Sequence, residues 1–89
     1  MTGIITVVGK DKVGITAKVC TYLSDEGLNI LDISQTIVNG YFNMMMIVDM
    51  AKSARPFEQH VDALNKLGQD IGVVIHLQHE DIFNIMHRV

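Results

Sequence analysis

Residues 7–16, VVGKDKVGIT, carry the chain from an apolar strand through two glycines and a short charged loop into a helix. Residues 4–8 are rich in β-branched side chains, which fit a pleated strand. From Ile15 onward the apolar residues recur at helical spacing. Gly9 and Gly14 bracket the loop, where the backbone can take a positive φ or approach another segment closely. The stretch predicts either a plain strand-to-helix connection or a helix N-terminus whose free N–H groups hold a small anion.

An Asn-Gly pair gives the clearest local signal in the middle of the chain. Asn39 and Gly40 lie between two apolar runs, which is typical of a type I′ hairpin turn. We therefore expect strands over 30–38 and 41–50, after a first helix over 13–26. A two-residue turn also sets the register of the pairing, and apart from Val38 and Tyr41 the apolar members of the pairs are expected to face the helices. The predicted pairs are Val38 with Tyr41, Ile37 with Phe42, Gln35 with Met44, Ile33 with Met46 and Leu31 with Val48.

The second half of the chain predicts one more helix and one more strand. Pro56 suits the first turn of a helix that ends near Gly68, and His60 is expected to be solvated on its surface. A fourth strand is expected over 73–78. A short terminal helix is predicted over 81–88, with Ile82, Ile85, Met86 and Val89 on its apolar side.

The order of these elements predicts a single α+β domain over residues 1–89, with its core at about 4–77 and a helical tail at about 80–88. One apolar face and one mixed face are expected of an antiparallel sheet that carries helices on one side only. The predicted fold is a ferredoxin-like α/β sandwich, βαββαβ. Its four-stranded antiparallel sheet has the order 4-1-3-2, with both helices on one face.

Strand two is an edge of this predicted sheet and contains neither proline nor lysine. Edges without such residues invite pairing with another chain. We expect a homodimer, alone or within a higher oligomer, in which this strand pairs with its own copy. A monomer whose edge is shielded by twist is the alternative. The predicted dimer interface consists of Leu31, Asp32, Ile33, Ser34 and Gln35.

Composition excludes several classes of protein. The net charge of −3 argues against a nucleic-acid partner, because phosphate neutralisation needs a basic face. No apolar run is long enough to span a bilayer and no targeting segment is visible, so a cytoplasmic location without membrane contact is expected. Cys20 is the single cysteine, which excludes an internal disulfide, and it falls on the apolar stripe of the first helix.

The sequence contains no pattern that predicts catalysis, a metal or a cofactor. Gly9 and Gly14 have the spacing of a phosphate-binding loop, but Ile15-Thr16 replaces the Lys-Ser/Thr pair that such loops require. His76 and His79 are predicted to point to opposite faces of a strand, which is unsuited to a metal pair. Because no Ser, His and Asp set suggests a triad either, we expect a non-enzymatic protein with no catalytic residue, metal or cofactor.

Two short motifs resemble those of the ACT-domain family. They are D-x-x-G-I, from Asp11 to Ile15, and G-x-N-I, from Gly27 to Ile30. Together with the β-α-β-β-α-β order they extend the resemblance from residue 4 to residue 77. The chain is similar in particular to the small stand-alone ACT-domain proteins of bacteria and archaea. It departs from the family at Val13, where many ACT loops have proline.

The resemblance implies a regulatory module that senses an amino acid or a similar small molecule at a dimer interface and modulates a partner protein. By this resemblance, Asp11 would receive a ligand ammonium group, and the backbone around Val13 and Gly14 would hold the ligand carboxylate. Asn29 and Ile30 would close the site from the other subunit, although Asn29 is equally suited to an ordinary turn. The expected ligand-binding set is Gly9, Asp11, Val13, Gly14, Ile15, Asn29 and Ile30.

Two other classes of function share this topology. An RNA-binding RRM would carry a basic residue and spaced aromatic residues on its third strand, and residues 39–44 lack the basic residue. A protein–protein adaptor would instead use the mixed sheet face to dock on a partner, with Ile30, Tyr41, Met45 and Ile47 exposed. A ligand-independent dimer would favour the adaptor.

Overall fold

The computed structural model describes residues 1–81, in which six elements follow the predicted order. The strands are β1 (Thr2–Lys10), β2 (Asn29–Val38), β3 (Tyr41–Asp49) and β4 (Val73–His79), and the helices are α1 (Ile15–Asp25) and α2 (Phe57–Ile71). The four strands form one antiparallel sheet in the order β2-β3-β1-β4, which is the predicted order counted from the other edge. The ferredoxin-like fold is therefore confirmed. The predicted terminal helix, beyond its first residue, lies outside the described residues.

The hairpin between β2 and β3 has the predicted turn and most of the predicted register. Asn39 has φ 52° and Gly40 has φ 80°, as a type I′ turn requires. The first four predicted pairs are confirmed. The fifth is wrong, because the register shifts between Ile30 and Asp32, and Val48 pairs with Ile30 instead of Leu31. Leu31 is thus the extra residue of a β-bulge, a distortion that is common in edge strands.

The core lies between the helices and strands β1, β3 and β4, and the expectation that Leu31, Ile33 and Ile37 of β2 contribute to it is wrong. The β3 residues on the helix side, Phe42, Met44, Met46 and Val48, are buried. In contrast, Leu31, Ile33 and Ile37 of β2 are exposed. Ile30 alone among the β2 residues packs against the core, and it is half-buried. The physical reason is the position of the helices: α2 packs on β4 at one edge of the sheet, whereas β2, at the other edge, has little helix cover. The buried core consists of Ile5, Val7, Ile15, Val19, Leu23, Leu28, Phe42, Met44, Met46, Val48, Met50, Leu64, Val73, Ile75 and Leu77.

Helix α1 begins and ends at glycines. Gly14, at φ 90°, is its N-cap, so the helix starts at Ile15 and not at the predicted residue 13. At the other end Gly27 has φ 72°, and the Leu28 backbone N–H donates to the Leu23 carbonyl at 2.9 Å. This is a Schellman cap, and it directs buried Leu28 back into the core at the start of β2.

Helix α2 does not end near Gly68, contrary to the prediction, but continues to Ile71 and is ended by Gly72 at φ 79°. Gly68 has a packing role instead. A Cβ at this position would lie 2.7 Å from the Val73 carbonyl oxygen, so glycine allows the helix to lie directly against β4.

Candidate functional site

The loop between β1 and α1 is attached to the fold at two points. The Asp11 backbone N–H donates to the Gly40 carbonyl at 2.8 Å, which ties the loop to the hairpin turn. The Lys12 Nζ donates to the Ile71 carbonyl at 3.4 Å, at the C-terminus of α2, where the helix dipole favours a cation. Val13 lies between these residues and the helix, with its side chain fully exposed. The loop therefore presents Asp11 and Val13 outward from a fixed base.

The N-terminus of α1 lacks a capping side chain. Gly14 provides none, and the first turn contains no acidic residue. The first helical hydrogen bond runs from the Lys18 N–H to the Gly14 carbonyl, so the N–H groups of Ile15, Thr16 and Ala17 precede the regular pattern. Gly14 and Thr16 are half-buried and Ala17 is exposed, which leaves this end of the helix accessible to a small anion.

Two members of the predicted site have clear structural roles of their own. Ile15 is buried in the core and can contribute only its backbone to a ligand. Gly9 lies against the start of β4, where a Cβ would be 2.7 Å from Cγ1 of Val73. Its glycine character is therefore explained by packing between strands.

The predicted second half of the site lies at the opposite end of the sheet. Asn29 pairs with Asp49, which also pairs with Thr2, whereas Lys10 pairs with Tyr41 next to the hairpin turn. The two ends are separated by the length of β1, about 27 Å at 3.4 Å per residue. Asn29 is exposed. Within one subunit, Asp11 and Asn29 consequently cannot contact the same small molecule.

The predicted interface residues, Leu31 to Gln35, are all exposed along the free edge of β2. The bulge at Leu31 interrupts the strand near its start, and Oδ1 of Asp32 accepts a hydrogen bond from the Ile33 N–H at 2.8 Å. From Asp32 to Val38 the pairing with β3 is regular. Residues 32–38 thus form an uninterrupted stretch of edge strand that could pair with another strand.

A buried polar cluster was not predicted. His60 is fully buried, so its expected exposure on the helix surface is wrong. Its Nδ1 lies 2.7 Å from the Tyr22 hydroxyl and its Nε2 lies 2.6 Å from the Ser53 hydroxyl. Burial lowers the pKa of His60 and raises the pKa of Tyr22. The spacing of His60 from Phe57 and Leu64 places it on the apolar stripe of α2, and this signal could have revealed its burial.

The contacts of this cluster suit a structural role better than a catalytic one. The Ser53 hydroxyl also accepts a hydrogen bond from the Arg55 backbone N–H at 3.3 Å. Both ring nitrogens of His60 have partners, and the ring has no exposed surface for a substrate. The cluster therefore joins α1, α2 and the segment after β3.

Two of the depressions on the surface of the described residues are well formed, and neither of these two includes Asp11 or Asn29. One, of about 250 Å³, lies on the sheet face away from the helices and is lined by Thr6, Val8, Ser34, Thr36, Asn43, Met44 and Met45. The other, of about 390 Å³, lies between the helices and is lined by Ala17, Lys18, Thr21, Tyr22, Asp25 and Leu67. Residues 1–81 contain no group of three metal-ligating side chains that could hold an ion. None of the helices within this range is long and apolar enough to cross a membrane.

Comparisons with known proteins agree on one family. A family model described as an ACT domain matches residues 2–78. A UPF0237 protein of Bifidobacterium longum is 62% identical over 86 residues, which cover 97% of this chain and 96% of the relative. The solved structure of an ACT domain protein from Streptococcus pneumoniae is 43% identical, with a TM-score of 0.83 and 93% of each chain covered.

A more distant solved structure belongs to a larger protein. The ligand-free regulatory subunit of aspartate kinase from Thermus thermophilus is 26% identical, with a TM-score of 0.67. The match covers 89% of this chain and 51% of that subunit.

Proposed function

The chain belongs to the ACT-domain family, and from this membership we propose that it is a non-enzymatic regulatory module that binds an amino acid, or a similar small molecule, at a homodimer interface. ACT domains generally bind small ligands such as amino acids and regulate partner proteins. The similarity to a regulatory subunit of aspartate kinase supports the same class of function.

The observation that carries the proposal is that one loop presents both Asp11 and the uncapped N-terminus of α1. An amino acid has an ammonium group and a carboxylate a few ångströms apart. Asp11 is an exposed carboxylate on a loop held in place through its own backbone N–H, which suits it to the ammonium group. The backbone N–H groups around Val13 and Gly14 and in the first turn of α1 are suited to the ligand carboxylate. One loop therefore offers a partner for each charged group of the ligand.

The second half of the site would come from another copy. Two copies that pair antiparallel through residues 32–38 share a two-fold axis at Gln35, with Asp32 opposite Val38 of the partner subunit. Asn29 then extends past that strand to the partner's hairpin turn, the same turn whose Gly40 carbonyl binds the Asp11 N–H. Each dimer would have two composite sites, each with the loop of one subunit and the Asn29–Ile30 corner of the other.

Regulation follows from the composite nature of the site. A ligand that contacts both subunits binds the dimer better than the separated chains, and it can shift the equilibrium only by that difference in affinity. The dimer, or its contact with a regulated partner protein, is then the state that the ligand stabilises.

A thermal-shift screen against the twenty amino acids, with the mass in solution measured alongside, tests the proposal. A ligand at a hundred times its dissociation constant should add about 2.7 kcal/mol to the free energy of unfolding. We expect a selective shift in a dimer, its loss in Asp11→Asn and its retention in Asp62→Asn, an exposed aspartate on α2. A shift that Asp11→Asn leaves unchanged would contradict the site.

A ligand-independent adaptor is the second candidate, because apolar side chains are exposed on the sheet face away from the helices. Tyr41 and Met45 are exposed there as expected, and Val8 and Val74 lie near them. Ile47 is half-buried, and Ile30 instead faces the core because of the bulge. A dimer that no amino acid stabilises, and that Met45→Lys prevents from binding a partner protein, would favour this function.

A further inference from the structure

The sheet face away from the helices, which we call the open face, is buried at one end. Ile4 points to this face, between Ile47 of β3 and Gln78 of β4, and is not part of the core on the helix side. It is nevertheless only 2% exposed. Ile47 and Thr2, at the same end, are half-buried. Both described helices lie on the other face, so neither explains this burial.

Burial on the open face decreases toward the hairpin end. Met45, at the middle of the face, is 41% exposed, and Val8 and Val74, farther along, are 46% and 54% exposed. Tyr41, next to the hairpin turn, is 51% exposed. The apolar side chains of this face therefore divide into a covered end around Ile4 and an uncovered end around Val8.

The covered end is the one at which the chain leaves the sheet. His79, the last residue of β4, pairs with Gly3, and the Glu80 N–H donates to the Thr2 carbonyl at 3.1 Å. Asp81 then contacts Nδ1 of His79 through its backbone N–H and through its carboxylate, both at 3.3 Å. Neutral His79 accepts the first contact, and protonated His79 donates to the second. The chain beyond Asp81 thus starts at the same end of the sheet as Thr2, the covered end.

The next eight residues, IFNIMHRV, have the composition and length to cover this end. Ile82, Ile85, Met86 and Val89 recur at i, i+3, i+4 and i+7, which would form one apolar stripe on a helix. Eight helical residues span about 12 Å. Crossing from β4 over β1 to β3 takes about 10 Å, because neighbouring strands lie about 4.8 Å apart. A segment of this length reaches Ile4 and Ile47 but not Val8.

We propose that residues 82–89 pack across the open face of their own subunit, with the stripe of Ile82, Ile85, Met86 and Val89 over Ile4 and Ile47. The segment completes a second, smaller apolar cluster outside the main core. It also prevents a second sheet from stacking on this end, so only the surface around Val8, Tyr41 and Val74 stays available to a partner.

Tryptophan fluorescence tests the proposal in the full chain, which contains no tryptophan of its own. Ile85→Trp places a reporter in the stripe, and Asn84→Trp places a matched one on the polar side. We expect blue-shifted, quencher-protected emission from the first and solvent-exposed emission from the second. Adding Ile47→Lys should red-shift the emission of Ile85→Trp, whereas adding Val74→Lys, at the uncovered end of the same face, should not.

Three results would overturn the proposal. Equal exposure of the two reporters would mean that the stripe covers nothing. A protected reporter that ignores Ile47→Lys would place the segment elsewhere. Emission that changes as the protein is diluted would identify another copy as the source of the segment. Because Ile85→Trp could disturb the packing, methyl NOEs between Ile4 and Met86 in the unmodified protein provide an independent check, and their absence would also contradict the proposal.

Discussion

His60 is the residue on which three parts of the fold converge. Its imidazole is buried between Tyr22 of α1 and Ser53 of the segment before α2. A neutral ring with its proton on Nε2 satisfies both contacts, since Nε2–H then donates to the Ser53 hydroxyl and Nδ1 accepts from Tyr22. The Ser53 hydroxyl is left to donate toward the Arg55 carbonyl at 3.5 Å. The neutral ring is thus the form that the fold stabilises.

The stability of the protein should therefore fall in mild acid. Burial lowers the pKa of His60 and Arg55 lowers it further, while Glu26 acts in the opposite direction. In the unfolded chain His60 takes up a proton near its ordinary pKa of about 6.5, before the folded state does. The contribution of neutral His60 to stability should be fully present above about pH 6.5. Below that pH the free energy of unfolding should decline, by at most about 1.4 kcal/mol per pH unit.

Urea unfolding at several pH values measures this dependence. The variant His60→Gln should show a weaker decline, whereas His76→Gln, at an exposed position of β4, should keep the original slope. An unchanged slope in His60→Gln would show that another group is responsible.

The two tyrosines provide a matched test of the same cluster. Tyr22→Phe leaves Nδ1 of buried His60 without a donor, and an unsatisfied buried polar group costs about 1–3 kcal/mol. Tyr41→Phe, on the exposed sheet face, should change the free energy of unfolding by less than about 0.5 kcal/mol. Denaturant unfolding compares them, and equal losses would contradict a structural role for the Tyr22 hydroxyl.

At the scale of elements, the contact between α2 and β4 depends on the lack of a side chain at Gly68. Alanine favours a helix over glycine by about 1 kcal/mol. Here, however, its Cβ would lie 2.7 Å from the Val73 carbonyl oxygen and 3.1 Å from Ile75, so the helix would have to move away from the strand. We expect Gly68→Ala to destabilise the protein by about 1–3 kcal/mol net, the usual range for overpacking.

The adjacent exposed position serves as the control for this prediction. Gln69→Ala keeps the helix and meets no neighbour, so thermal or urea unfolding should show little change or a slight gain. A stabilised Gly68→Ala would mean that the helix can shift at little cost.

The elements differ in how far the sequence could predict them. The Asn39-Gly40 turn was predictable because two successive positive φ angles suit few residue pairs. The bulge at Leu31 was not, because apolar residues occur on both sides of it and either register places some on each face. Gly68 was interpreted as a helix end because a glycine that ends a helix and one that permits close packing are alike in sequence.

At the scale of the whole molecule, the proposed dimer depends on the free edge of β2. In the proposed dimer Gln35 lies opposite its own copy, so Gln35→Lys would place two like charges face to face, which destabilises a strand pair. The monomer should still fold, because Gln35 is exposed. We expect a lower mass in solution for Gln35→Lys, measured by light scattering over a range of concentrations.

Gln78→Lys, an exposed change on the other edge strand, is the matched control and should leave the mass unchanged. A lower mass for Gln78→Lys, with no change for Gln35→Lys, would mean that the interface lies at β4 instead. Loss of dimer in Gln35→Lys together with loss of ligand binding would further support the composite site.

The site itself could be predicted from the sequence only in part. The positions of Asp11 and Asn29 at opposite ends of the sheet followed from topology, because a strand's length separates the loop before α1 from the corner after it. The contacts that hold the loop could not be predicted, since the Ile71 carbonyl is 59 positions away from Lys12 in the chain.

The bond between Lys12 and the end of α2 has a consequence for signalling. The Lys12 ammonium donates to the Ile71 carbonyl, and Lys12 follows Asp11 directly in the loop. In the proposed site, a ligand carboxylate that reached Lys12 would compete with the Ile71 carbonyl for the same positive charge. Occupancy would then release the last turn of α2, which packs on β4, at the edge of the sheet farthest from the proposed dimer axis. Ligand binding at the loop would therefore change the structure at the β4 edge, on the far side of the sheet from the second subunit.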